Sequence, residues 1–418
     1  MAFVTGAAAR KPRARALGRN RDFRLLWIGQ AASELGSSIS ALALPMLVLA
    51  LSGSAALAGL LGTVSFLAAW LAQLPGGYIA DMFDRRRVML VCDLGRAALT
   101  AVAAAAVLTS TAPTAILTTV VGASMCLWIV FGAAQVQAVR VIVPAEQIPE
   151  AISINQARGY AVDMIGPLLA GWLFAVSHAA PLIVDVVTFL VSLACVWCVR
   201  TTLAAENRPT VRRLLPDVGH GWALLWQHPF LRAKTAYSMV TNFAVSMLMY
   251  VLILGTAGGV LVGVGISAAA AAGLLGSLLA PTVSRRVPMR PLLVSVALVR
   301  SGGLLLAAIL GGGVALTAVL VTVLLLGPTT SASLSSAQMI LVPPDVLGRA
   351  GGSSGFLASA LQPLAPLAGG FLVQYLDRSA AQVVLAGAFV TVAVVAAVMP
   401  GFSSRVLAGQ REDAAGGP

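Results

Sequence analysis

Twelve apolar stretches, each long enough to cross a bilayer, leave this chain few ways to fold. A helix needs about 20 predominantly apolar residues to span the hydrocarbon core. Such stretches run at about 25–51, 57–79, 88–108, 114–138, 152–176, 181–199, 236–254, 260–283, 291–310, 314–339, 351–375 and 381–399. Lipid offers no partner to backbone N–H and C=O groups, so runs of this length are expected as helices. Charged residues make up only 10% of the chain and hydrophobic residues 59%, whereas soluble domains carry about 25% charged residues. The expected fold class is therefore an all-α polytopic membrane protein.

The formal charge of +12 follows topology rather than a nucleic-acid surface, which would gather Lys and Arg on one folded face. Alternate hairpin tips lie at 52–56, 110–113, 177–180, 255–259, 311–313 and 376–380, and of the 27 Lys and Arg residues only Arg378 falls in them. By the positive-inside rule both termini and the long middle loop are cytoplasmic. The first run contains Glu34 and is too long for a signal-peptide core, so it reads as an uncleaved span. The expected organisation is a basic arm over 1–24, a six-helix bundle over 25–199, a linker over 200–235, a second six-helix bundle over 236–400 and a cytoplasmic tail over 401–418. Within the linker, Trp222 and Trp226 are four apart, which suits a short helix lying in the membrane interface.

The two bundles are related copies. Val143 to Leu173 aligns without gaps on Val342 to Leu372, an offset of 199 (342 minus 143). In that register Ala151 meets Ala350, Pro167-Leu168 meets Pro366-Leu367, Gly171 meets Gly370 and Asp163 meets Gln362. Arg96 and Arg300 are separated by a similar 204 residues. Six spans per copy make the repeats parallel, and paired halves facing a midplane site are what alternating access requires.

The turn after the second run, GYIADMFDRRR, holds Asp81, Asp84, Arg85, Arg86 and Arg87, charges that belong at the membrane surface. Its pattern Gly77-x-x-x-Asp81-x-x-Asp84-Arg85-Arg86 resembles the loop between helices 2 and 3 of major facilitator superfamily transporters, with Asp84 where that family usually has Gly. The segments VPAEQIPEAISINQ and GHGWALLWQHPFLRA resemble the multidrug, macrolide and siderophore exporter branch that includes the enterobactin exporter. The resemblance implies the major facilitator fold: twelve helices in two pseudo-symmetric six-helix bundles, in a bacterial cytoplasmic membrane. It also implies a latch in which Asp81 meets the N-terminus of the eleventh helix, near Arg349 to Ser353, where the helix dipole favours an anion. Gly77, Asp84, Arg85 and Arg86 belong to that latch. Asp93 and Arg96, three apart on one helix, are expected to pair with each other or with the loop.

On the fifth span Asn155, Gly159, Asp163 and Gly166 share one helical face, and Pro167 follows. Gly166-Pro167 marks a bend pressed on a neighbour. The segment Gly166 to Gly171 resembles the Gly-Pro-x-x-Gly-Gly motif of helix 5 in proton-coupled drug exporters, with Ala170 in place of one glycine, and the resemblance implies export. Pro366 and Gly370 are its repeat counterparts. Glu34 lies about ten residues into the first span, near the bilayer centre at 1.5 Å per residue; Gln30, Glu34 and Ser37 share its polar face. A charge at that depth costs roughly 2.5–3.5 kcal/mol on insertion scales, so Glu34 and Asp163 are the candidates for carrying a proton. Arg158 or Arg96 are candidate ion-pair partners. Gln30, Ser37, Asn155, Asn242 and Gln362 are candidates for lining a cavity.

The sequence contains no H-E-x-x-H and no G-x-x-x-x-G-K-[ST], so no enzyme activity, cofactor or resident metal is expected. His178, His220 and His228 fall outside the spans, and Cys195-x-x-Cys198 sits within one as buried thiols rather than a redox pair. The expected function is secondary active export of a small amphipathic compound by proton antiport. The expected partners are that substrate, protons and the bilayer, with no nucleic acid and a monomer as the working unit. Uptake or facilitated diffusion of a metabolite and lipid flipping are the alternatives.

Overall fold

The computed structural model describes residues 17, 20–109, 114–203, 222–223, 225–256, 259–342 and 344–403. Most of the basic arm, most of the linker and the tail from residue 404 lie outside them. The helices are α1 (Arg21–Ser52), α2 (Ala55–Met82), α3 (Arg85–Leu108), α4 (Thr114–Ile142), α5 (Ile148–Val176), α6 (Ala180–Trp197), α7 (Pro229–Gly255), α8 (Gly259–Arg286), α9 (Met289–Leu310), α10 (Gly312–Leu341), α11 (Pro344–Ala358), α12 (Leu364–Tyr375) and α13 (Arg378–Val398). Twelve helical stretches are long and apolar enough to cross a membrane, the eleventh comprising α11 and α12 together.

Local chemistry sets the helix ends. Asn20 Oδ1 accepts the N–H of Phe23 at 3.2 Å, Ser54 Oγ that of Leu57 at 3.3 Å and Asp84 Oδ1 that of Arg87 at 3.0 Å. Each satisfies an N-terminal donor that the helix itself cannot. Gly53 ends α1 at φ 65°, a left-handed conformation that glycine adopts without strain.

Three boundaries differ from the hydropathy reading. Gly77 to Met82 are helical, so the turn between α2 and α3 shrinks to Phe83 and Asp84. α7 begins at Pro229 rather than 236, because proline suits the first helical position and outweighs the polar Arg232 and Lys234 behind it. The eleventh span is not one helix: it breaks over 359–363.

Packing within each half follows one plan. α2 packs on α4 and α3 on α6, as α8 packs on α10 and α9 on α13. The halves meet chiefly at two crossings, α5 on α8 and α2 on α12, with α1 and α2 also touching α7, and the contacts at the crossings are repeat-related. The carbonyl of Pro167 seats against Gly263 while that of Pro366 seats against Gly59; Gly171 lies on Gly259 as Gly370 lies on Ala55. A methyl group at Gly59, Gly171, Gly263 or Gly370 would collide with the facing backbone, the reason small residues occupy helix crossings in lipid.

Hydrogen bonds tie the α2–α12 crossing. Ala55 N donates to Gln374 Oε1 at 2.8 Å, Leu367 N to Thr63 Oγ1 at 3.1 Å and Trp70 Nε1 to the Phe356 carbonyl at 3.0 Å. Trp70 also stacks on Phe356 at 4.5 Å, and Phe66 meets the half-buried Tyr250 edge-on at 6.5 Å. The Ala55–Gln374 and Leu367–Thr63 bonds lie nearest the tips 52–56 and 255–259, and the Trp70–Phe356 contact lies near the middle of the helices. The described contacts thus fasten the halves from the tips to mid-helix, and toward the other end Gly159, Gly352 and Gly355 have open space beside them, here termed the opening.

Candidate functional site

α1 and α5 run side by side in the first half and bring together residues 124 positions apart. Arg158 grips Glu34 with two parallel bonds, Nε to Oε2 and Nη2 to Oε1, both at 2.9 Å. Gln30 Nε2 donates to Glu34 Oε1 at 3.1 Å and Arg158 Nη1 donates to Asn155 Oδ1 at 3.0 Å. This two-pronged geometry is the strong form of an Arg–carboxylate pair. The side chains are 6% exposed for Arg158 and 25% for Glu34.

Asp163 completes the centre from the same helix. Its face is fixed by its neighbours on α5: Gly166 seats against Ser38 of α1, while Pro167 and Gly171 meet α8. Ile154 and Trp172 lie nine residues away on either side, half a turn round the helix, and Trp172 is exposed on the outer surface. Asp163 therefore faces the space between the halves, where it is exposed, within electrostatic reach of Glu34. Gly159, one turn earlier, has open space beside it. The predicted face of Asn155, Gly159, Asp163 and Gly166 is thus divided: Asn155 and Gly166 serve the α1 contact, and Gly159 and Asp163 line the opening. On the outer side an apolar groove of about 400 Å³, lined by Trp27, Ala31, Leu35, Ala157 and Ala161, reaches Arg158 from the lipid.

Other candidates take different places. Ser37, half-buried, accepts a bond from Arg96 Nη2 at 2.6 Å. Asn242 Nδ2 donates to the Ala358 carbonyl at 3.1 Å and Gln362 Nε2 to Ser246 Oγ at 3.2 Å. Both bonds join α7 to the break in the eleventh span, and the first satisfies a carbonyl that the interrupted helix leaves open.

Several described contacts hold the turn after α2 to the first half. Asp84 caps α3, Arg85 Nε donates to Gln137 Oε1 at 2.9 Å, and Arg86 donates to the Trp197 carbonyl with its guanidinium 5.9 Å from that ring's centroid. Gly77 is in helix with open space beside it. The side chains of Asp81 and Arg349, which the latch would join, lie outside the described residues. Asp93 and Arg96 do not bond to each other: Asp93 accepts from Ser192 and Arg96 donates to Ser33 and Ser37. Asp185 of α6 is a buried acid beside them that the sequence reading passed over. Its signal was present, a lone carboxylate in the middle of an apolar run.

A family model of the Major Facilitator Superfamily matches residues 26–366. The chain belongs to this superfamily. A search of curated proteins finds no match. Among solved structures, a bacterial homologue of the iron transporter ferroportin in an inward-facing state is similar at a TM-score of 0.71 and 15% identity, covering 92% of this chain and 99% of that one. The nucleoside transporter NupG is similar at a TM-score of 0.70 and 14% identity, covering 91% and 99%. A bacterial homologue of the human lysosomal transporter Spinster, inward-facing and unoccupied, is similar at a TM-score of 0.71 and 14% identity, covering 95% and 99%. At these identities the likeness shows the fold. This superfamily member is a multi-pass membrane transporter with twelve spans.

Proposed function

We propose that the chain is a proton-coupled exporter of a small amphipathic organic compound, working as a monomer in a bacterial cytoplasmic membrane with both termini in the cytoplasm. The observation that carries this reading is the Glu34–Arg158 pair with Asp163 beside it at the opening. Two carboxylates stand against one guanidinium, so the centre is neutral only with one proton bound. A proton and the Arg158 guanidinium compete for the same carboxylate oxygens. Binding the proton frees Arg158 from α1, and losing it restores the grip, so protonation alters the α1–α5 contact. Arg158 lies nine residues, about two and a half turns, before Pro167 on the same helix, and the Pro167 carbonyl seats α8 at the tip-end seal.

The direction of transport follows from the fifth-span motif and the exporter-like segments, and the cytoplasmic opening from the placement of Lys and Arg. One proton crossing 100 mV supplies about 2.3 kcal/mol, a concentration ratio of roughly 50, which suffices to expel a dilute compound. Inverted vesicles with an acid interior test the reading against a panel of fluorescent amphipathic dyes. Dye accumulation that collapses with a protonophore and in Glu34→Gln supports antiport. Accumulation indifferent to both overturns the coupling, and a dye that equilibrates without concentrating favours facilitated diffusion.

A further inference from the structure

The first half holds a second charged centre, closed off from the opening. Asp93 of α3, Arg96 one turn on and Asp185 of α6 are exposed by 0%, 2% and 3%. Three hydroxyls of α1 hold it: Arg96 donates to Ser33 Oγ at 3.2 Å and Ser37 Oγ at 2.6 Å, and Ser40 Oγ donates to Asp185 Oδ2 at 2.6 Å. Ser192 Oγ of α6 donates to Asp93 Oδ2 at 2.6 Å, and the Arg96 guanidinium lies 4.1 Å from the centroid of the Phe189 ring. Asp93 Oδ1 and Arg96 Nε are buried with no hydrogen-bond partner among the described residues. The other ionisable groups around the centre are Glu34 on α1, Cys92 on α3 and Cys195 on α6; Arg158 and Asp163 of α5 stand behind Glu34.

With both aspartates ionised, two negative charges oppose one positive charge, and one is left uncompensated in the bundle interior, an arrangement that proteins avoid. The second half shows that the acids are not needed to bury the arginine. At an offset of 204, Ser33, Ser37, Asp93 and Arg96 correspond to Tyr237, Thr241, Ala297 and Arg300; at 200, Asp185 and Phe189 correspond to Leu385 and Phe389. Arg300 is likewise 2% exposed and lies 5.8 Å from the Phe389 centroid. It donates to the Val323 carbonyl at 3.0 Å. The arginine and its aromatic neighbour recur, whereas both carboxylates belong to the first half alone.

We propose that Asp93, Arg96 and Asp185 form a second protonation site, holding one exchangeable proton between the two aspartates, and that its occupancy sets how firmly α1 is held. The proton comes from water and forms an O–H bond on one carboxylate, which leaves the other to balance Arg96. When the proton leaves, the guanidinium is drawn to two anionic carboxylates and away from Ser33 and Ser37, which flank Glu34 on α1. The three residues are positioning residues for that helix. The site stands whether or not the Glu34 centre couples transport to protons.

Infrared spectroscopy of the purified full-length chain in lipid nanodiscs, titrated from acid to alkaline pH, tests the proposal without a substrate. The measurement uses a Glu34→Gln, Asp163→Asn background, so that the acids at the opening contribute nothing. The expected result is a buried carboxylic-acid C=O band that disappears on alkaline titration. Adding Asp93→Asn or Asp185→Asn is expected to abolish it completely, because either change leaves one carboxylate balanced by Arg96; Asp185→Glu is expected to retain it. No such band in the background protein, or a band that survives both Asn substitutions, overturns the proposal. Unfolding of Asp185→Asn would also overturn it, since that change makes the centre neutral without a proton.

Discussion

Removing Arg158 and removing Glu34 have unequal effects, and the difference tests the charge count at the opening. Breaking a buried ion pair by deleting one partner costs about 3–5 kcal/mol. Glu34 is 25% exposed, and Asp163 lies five residues beyond Arg158 on α5. The loss in Glu34→Gln is therefore discounted to about 2 kcal/mol for partial solvation. One carboxylate and one guanidinium then remain, so the loss is expected to vary little with pH. Arg158→Gln instead leaves Glu34 and Asp163 facing each other with no cation. The folded state of that variant then holds more protons than the unfolded chain, and the linkage relation gives a stability that falls as pH rises. The expected cost is about 3–5 kcal/mol near pH 8 and at most half of that near pH 5. Thermal unfolding in detergent, read by a thiol dye reaching the buried Cys92, measures both variants; for a half of this size 2 kcal/mol corresponds to roughly 4–8 °C. Equal shifts at the two pH values for both variants would refute the reasoning, because the two-acid, one-base centre would then not be the origin of the stability change.

The seal and the turn give three further expectations. Gly263→Leu places a side chain where the Pro167 carbonyl sits; overpacking of about 1–3 kcal/mol should open the tip end, raise labelling of a cysteine at Thr63 from that side by roughly tenfold, and halt transport, whereas unchanged labelling contradicts the crossing's role. Trp70→Phe keeps a stacking ring but loses the bond to the Phe356 carbonyl, about 1 kcal/mol, and should raise the same labelling less than Trp70→Ala. Asp84→Gly should cost only a few tenths of a kcal/mol and Asp84→Ala about 1 kcal/mol, both with transport intact; a transport defect in Asp84→Gly would show that Asp84 does more than cap α3.

The spans were legible because bilayer thickness fixes the length of an apolar run, and the repeat was legible because Pro167, Gly171, Pro366 and Gly370 keep one register. Helix ends were less so. Arg232 and Lys234 lowered the hydropathy at the start of α7, although Pro229 carried the start signal. The break in the eleventh span is invisible to apolar length, which counts the same residues whether they form one helix or two. At the site, Glu34, Arg158 and Asp163 stood out because charge in lipid demands an explanation. Their pairing did not, because whether Arg158 or Arg96 meets Glu34 depends on how α1 and α5 rotate against each other. Trp70, Tyr250 and Phe356 carried no signal among neighbours that are equally apolar.

The symmetry of the fold and the asymmetry of its charges divide the labour between the halves. The crossings obey the repeat: Pro167 on Gly263 answers Pro366 on Gly59, so the frame is the same on both sides of the opening. The ionisable groups do not obey it. Asp163 is matched by Gln362, which binds Ser246 and braces the break in the eleventh span, and the acids around Arg96 have no counterparts around Arg300. Both proposed protonation sites therefore lie in the first half, on α1, α3, α5 and α6. Asp163 and Pro167 are four residues apart on α5, and Pro167 is the residue on which Gly263 rests. On the proposed reading, the acid at the opening and the residue at the tip-end seal therefore share one short stretch of α5.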